Sequence, residues 1–102
     1  MTRYLRMLQS AVDPADIATV RQLFADDVVP AFRAIPGCLS IELLVSQESN
    51  AGGLVEGAAL SRWETQEAME VGMASREARE AQVRIVELLR QEPVVRIWEL
   101  LE

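Results

Sequence analysis

The chain has 102 residues, half of them hydrophobic and a quarter charged, with a net charge of −6. That balance fits one soluble globular domain spanning 1–102, and it excludes the basic footprint that nucleic acid or an anionic membrane demands. Cys38 is the only cysteine, so no intrachain disulfide can form, and there is no histidine. The second absence removes Ser-His-Asp and Cys-His catalysis, His-ligated metals and a proximal-His haem. Proton transfer is left to carboxylates, Tyr4 or the substrate itself, because arginine is too basic to shuttle protons. The apolar runs are too short to cross a bilayer, and "MTRYLRMLQS" has no signal-peptide core, so a cytoplasmic protein is expected.

In chain order, "YLRMLQ" (4–9) alternates as a strand. In "VDPADIATV", Asp13 suits a helix cap, Pro14 the first helical position and Asp16 the first turn. Ile17, Val20, Phe24, Val28 and Phe32 then form one apolar stripe. Pro30 falls within it and should kink or split the helix, which "IPG" (35–37) ends. "CLSIELLVSQ" (38–47) is a strand with Leu39, Ile41, Leu43 and Val45 on one face. "ESNAGG" is a turn, and "VEGAALSRW" returns as the second arm of a hairpin. Thr65 caps a helical segment that "GMAS" interrupts. Ser75 caps the next, whose stripe is Ala78, Ala81, Ile85, Val86 and Leu89. Pro93 stops the helix, and "VVRIWELLE" is a last strand.

The order β-α-β-β-α-β predicts an α+β, ferredoxin-like antiparallel sheet with both helical segments on one face. Leu5, Met7, Ile41, Leu43, Val45, Val95 and Ile97 are assigned to the helix-covered side, along with Ala59, Ser61 and Trp63. The other side then carries Tyr4, Leu8, Leu44, Leu60, Trp98 and Leu100, with one charge near the middle of each strand: Arg6, Glu42, Arg62 and Arg96. That much apolar surface exceeds what a monomer usually exposes, so a homodimer is expected, sheet against sheet. Arg6, Glu42, Arg62, Arg96 and Trp98 are its candidate interface residues, with Glu42 pairing Arg62 across the hairpin or an arginine of the second copy. The structural reading of these charges is an interface network, and the functional alternative is an anion site inside the dimer.

"DDVVPAFRAIPGCLSIELL" followed by "ALSRWETQEAM" resembles the antibiotic biosynthesis monooxygenase family of dimeric α+β barrel proteins, over nearly the whole chain. The features that carry the likeness are the proline-glycine turn before the second strand and the strand-ending "W-E-T/S-x-E-A" step. The resemblance implies two sheets packed as a barrel, a C-terminal strand that reaches the second copy, and a pocket in each protomer between helices and sheet. It also implies either cofactor-independent oxygenation of polycyclic phenols or quinols, or haem degradation. The haem-degrading branch has an asparagine on the first strand, a tryptophan in the middle helical segment and a histidine early in the last helix. Here the only asparagine is Asn50, in a turn; the tryptophan position falls at Gly72 or its neighbours; and the histidine position falls near Gln82. None carries over, so haem degradation is not expected, and neither a cofactor nor a metal is.

Trp63, Phe24, Phe32, Met69, Met73 and Met7 are the candidate pocket residues. Each is equally a core residue by type: an indole or a methionine stripe fills core by default, and small Gly72 could leave room beside Trp63. Cys38 reads as a small buried residue rather than a nucleophile, since no base is evident near it. Asp26 and Asp27 read as solvated, and no residue qualifies as catalytic. The expected function is oxygenation of an aromatic phenol, quinol or polycyclic molecule, with the deprotonated substrate reacting directly with oxygen. The alternatives are a non-catalytic small-molecule binder and a structural dimer of the same fold.

Overall fold

The computed structural model describes residues 2–101. Strand β1 (Thr2–Val12) leads through a short 3-10 turn into helix α1 (Ile17–Leu23), a π-turn (Phe24–Val28) and helix α2 (Val29–Arg33). Strands β2 (Cys38–Ser49) and β3 (Val55–Trp63) form the hairpin, helices α3 (Gln66–Ala74) and α4 (Arg76–Val86) follow, and β4 (Val94–Leu101) closes the chain. The strands are antiparallel in the order β2-β3-β1-β4, which makes the fold α+β and ferredoxin-like.

The helix starts expected from sequence are present. Asp13 accepts a hydrogen bond from the Ala15 N–H, Thr65 Oγ1 from Ala68 N–H and Ser75 Oγ from Ala78 N–H. Ser75 also ends α3, because its N–H and O–H both donate to the Gly72 carbonyl. Pro30 does not break its helix. The backbone widens instead, and Val29 N–H reaches back five residues to the Phe24 carbonyl. A proline has no N–H to donate and its ring crowds the carbonyl four residues earlier; one π-turn relieves both problems without a sharp break.

Trp63 is fully buried at the centre of the core with Phe24, Val28, Phe32, Met69 and Ala78. Phe32 meets the indole edge-on, with ring centroids 6.4 Å apart. The indole N–H donates to Ser61 Oγ at 2.8 Å, and Ser61 donates in turn to the Arg6 carbonyl at 3.4 Å. The register then fixes the faces. Tyr4 lies opposite Trp63, so Tyr4, Arg6 and Leu8 share the helix-covered face, while Leu5, Met7 and Leu60 lie on the open one. This reverses the assignment of β1 made from its charge pattern. Both sets on β1 contain large apolar residues, and pairing with β3 decides between them. β2 carries a second correction. A bulge between Cys38 and Ser40 puts Cys38 opposite Trp63 and leaves Leu39 half-exposed, whereas Ile41 and Leu43 take the core face as expected.

On the open face, Glu42 and Arg62 approach to 3.6 Å, the cross-hairpin pair expected from sequence; exposed as it is, it is worth under about 1 kcal/mol. Strand β4 is exposed on both of its faces, with Ile97 at 55% and Trp98 at 50%.

Gly72 exists for the indole. A Cβ there would lie 2.7 Å from Trp63 Cη2 and Cζ3 and 2.8 Å from Ile35 Cγ2. In an open helix Gly→Ala gains about 1 kcal/mol. Here the overpacking reverses the sign, and Gly72→Ala is expected to lose about 1–2 kcal/mol net. The measurement is a lower urea midpoint at unchanged slope, with a smaller loss when the same change is made in a Trp63→Phe background.

Candidate functional site

Between the helix-covered face of the sheet and the helices lies an apolar cavity of about 80 Å³. Leu8, Leu43 and Ala59 form its floor, Val20 and Phe24 one wall, and Ile85 of α4 the other. Gly57 contributes to the floor by having no side chain. A Cβ there would stand 2.8 Å from the Leu44 carbonyl oxygen, so the position keeps β2 and β3 close. The π-turn matters here too, because Phe24 and Val28 at its two ends both line the cavity.

The wall has three polar side chains. Ser10 donates its hydroxyl to the Gln91 carbonyl at 2.7 Å. Glu56, at the exposed rim, accepts from Asn50 Nδ2 at 3.2 Å. Gln82, part-buried on α4, donates Nε2 to the Ala78 carbonyl at 2.9 Å. A wider groove of 620 Å³ lies outside, between the Pro36–Gly37 turn and α3, with Glu64, Glu67 and Glu77 among its lining residues. Its lining is more polar, so the inner cavity is the better candidate for a small apolar ligand.

Of the six pocket candidates from sequence, Phe24 is on the cavity wall. Trp63, Phe32 and Met69 are packed into the core and Met73 rests against it; the space beside Gly72 is filled by the indole itself. Met7 is on the open face, opposite Leu60. Of the interface candidates, Glu42, Arg62, Arg96 and Trp98 share the open face; Arg6 does not, and Tyr4 packs against the core. The Arg6 side chain is half-buried, with Ser61 and Ile97 as its cross-strand neighbours. Burial pulls its guanidinium below the usual arginine range, and no acid pairs with it among the described residues. Sequence reasoning missed most of the cavity, including Gln82, noted only as the place of an absent histidine. The available signal was a polar residue interrupting the Ala78–Ala81–Ile85 stripe.

Among the described residues no group of three or more His, Cys, Asp or Glu side chains could hold a metal ion. No helix among them is long and apolar enough to cross a membrane.

Sheet order and helix placement define an α+β, ferredoxin-like fold with an apolar cavity beneath its helices. The chain belongs to the antibiotic biosynthesis monooxygenase family, whose model matches residues 3–84. A candidate antibiotic biosynthesis monooxygenase from Caulobacter crescentus CB15 superposes with a TM-score of 0.78 at 19% identity, covering 98% of this chain and 91% of its own. A second, from Bordetella bronchiseptica, gives 0.78 at 17% identity and covers 100% of both chains. A Nitrosomonas europaea protein of unknown function gives 0.73 at 18%, covering 100% of this chain and 92% of its own. At these identities the likeness is one of fold. No curated protein matches the sequence.

Cys38 gives this region a direct chemical test. Burial pushes its thiol above the ordinary cysteine range, against a smaller opposing effect of the Ser40 backbone. A raised value means less thiolate at neutral pH. Alkylation by iodoacetamide at neutral pH is expected to run slower than for a free thiol, and to accelerate as pH rises. Labelling at the free-thiol rate would contradict the part-buried placement of Cys38.

Proposed function

We propose that this protein is a cofactor-independent monooxygenase acting on an aromatic phenol or quinol held in the cavity beneath the helices. The observation that carries the reading is that cavity, walled almost wholly by apolar side chains including Phe24, in a chain that belongs to a monooxygenase family. The electron balance needs no outside reductant. A phenol with a free para C–H, plus O2, gives a para-quinone and water. One oxygen atom becomes the new carbonyl, and the other leaves as water with the ring hydrogen and the hydroxyl hydrogen. The four electrons that O2 takes all come from the substrate.

The chain's contribution is to collect an apolar ring, hold it in one orientation and keep bulk water from it. The wall has no buried ionisable group, which favours a substrate reactive enough to need orientation rather than a strong base, and equally supports the second reading, a binder without turnover. Oxygen-electrode assays over a phenol and quinol panel separate the two. Turnover is expected for the enzyme, whereas the binder gives thermal stabilisation by the same compounds without oxygen uptake. Ala59→Leu, which fills the cavity floor, is expected to abolish the stabilisation and cut uptake at least tenfold while the fold is kept.

The open sheet face and β4 support a homodimer as the working form. Leu44, Val94 and Trp98 stand exposed there beside Leu5, Met7 and Leu60, a larger apolar patch than monomers usually carry. A second copy covers it, with Arg96 and the Glu42–Arg62 pair at the contact. Sedimentation at micromolar concentration is expected to show a dimer, and Trp98→Glu a monomer; wild-type protein sedimenting only as monomer would remove this assignment.

A further inference from the structure

We propose that Arg6 is the anion-binding residue beside the cavity and that the phenol is held there as its phenolate, with the charged oxygen on the guanidinium and the ring over Leu8. The inference rests on the reading of this cavity as a phenol site and adds the charge state of what it takes.

The sheet brings Arg6 to the site. It stands on the helix-covered face of β1, two residues from Leu8, which lines the cavity floor. Same-face neighbours on a strand are about 7 Å apart, within reach of an arginine side chain. Opposite these two on β4 stand Ile97 and Val95, 55% and 47% exposed. The helices therefore stop short of β4, and the floor at Leu8 continues outward as an apolar shelf with Arg6 beside it.

Burial and pairing set Arg6 apart from the other arginines. Only Arg3 and Arg6 among the ten are not exposed, and Arg3, opposite Leu100, is on the open face. A guanidinium that gives up water costs stability unless an anion takes the water's place. No acid does so among the described residues. Glu99, the acid nearest by register because it faces Tyr4, makes no ion pair with Arg6. Ser61, the neighbour on β3, is neutral and already accepts the indole N–H. A guanidinium's fork of N–H donors holds an oxyanion more strongly than a neutral hydroxyl. A phenolate supplies that oxyanion, and its ring supplies an apolar body for Leu8, Val95 and Ile97. The phenol's proton leaves to solvent across the exposed shelf, so no protein base is needed. Arg6 takes no proton itself. It shifts the phenol's ionisation toward the form that gives electrons to O2.

The probes are 4-nitrophenol, whose anion is yellow and whose acid is not, and 4-nitrotoluene, which has the same shape and cannot ionise. Both are titrated into wild-type protein and into Arg6→Met, which keeps the apolar stem and removes the charge. Arg6→Gln is carried in parallel in case methionine folds poorly, Arg6→Lys returns the charge, and thermal melts confirm that each variant is folded. Absorbance against pH reads the ionisation of bound 4-nitrophenol directly. In wild type the anion is expected to bind about tenfold more tightly than the neutral form, which lowers the bound phenol's pKa by about one relative to the free compound. Arg6→Met is expected to abolish that shift while 4-nitrotoluene binding is kept, and Arg6→Lys to restore part of it. An unshifted titration in wild type, or a shift that survives in folded Arg6→Met, overturns the role of Arg6 and leaves the cavity reading standing. An Arg6→Met protein that is monomeric where wild type is dimeric assigns the guanidinium to a carboxylate of the second copy and overturns the role as well. Failure of wild type to bind either probe at millimolar concentration overturns the cavity reading itself, and this inference with it.

Discussion

Burial of Trp63 is the contact on which the rest of the molecule depends. Truncating a buried indole of this kind costs about 3–5 kcal/mol, a large part of a small domain's stability. It also imposes conditions. Ser61 must be there to accept the indole N–H, Gly72 must have no side chain, and Tyr4 and Cys38 must fall opposite it on the neighbouring strands. Through these, one side chain sets the register of three strands and the distance of α3 from the sheet. The cavity is what remains where the indole's influence ends, further along the same face.

Much of the fold was legible in the sequence because local chemistry and global packing agree there. Asp13, Thr65 and Ser75 cap helices for reasons that operate within three residues, and the apolar stripes of β2 and of the first helical segment point the same way as their burial. The face of β1 was not legible. Tyr4, Arg6 and Leu8 compete with Leu5 and Met7, and the rule that charges face outward selects the wrong set; only the long-range pairing with Trp63 resolves it. Leu39 misled for a related reason, since a bulge is a property of two strands and strict alternation sees one. Pro30 signalled a disturbance but not its form, because a break and a π-turn satisfy the same missing donor.

The site was less legible than the fold. Aromatics and methionines look alike in composition whether they fill a core or line a cavity, and Trp63, Phe32 and Met69 proved to be core while Phe24 is on the wall. What distinguishes a cavity is missing volume, which no single position encodes. Gly57 and Ala59 help to create it by being small, and small residues in a strand have several explanations. With no histidine and all ten basic residues arginines, the side chains that line the cavity are apolar apart from Ser10, Glu56 and Gln82.

The π-turn has an evolutionary side. A π-turn is what a single-residue insertion looks like when a helix absorbs it without unravelling. Removing one residue from Phe24–Val28 would let the segment relax to an ordinary helix, but everything before the deletion would rotate by about 100° relative to α2. Ile17 and Val20 would swing away from the cavity, and solvent-facing neighbours would take their places. Chain length in this segment therefore works as a coarse dial on cavity shape that leaves the sheet beneath untouched.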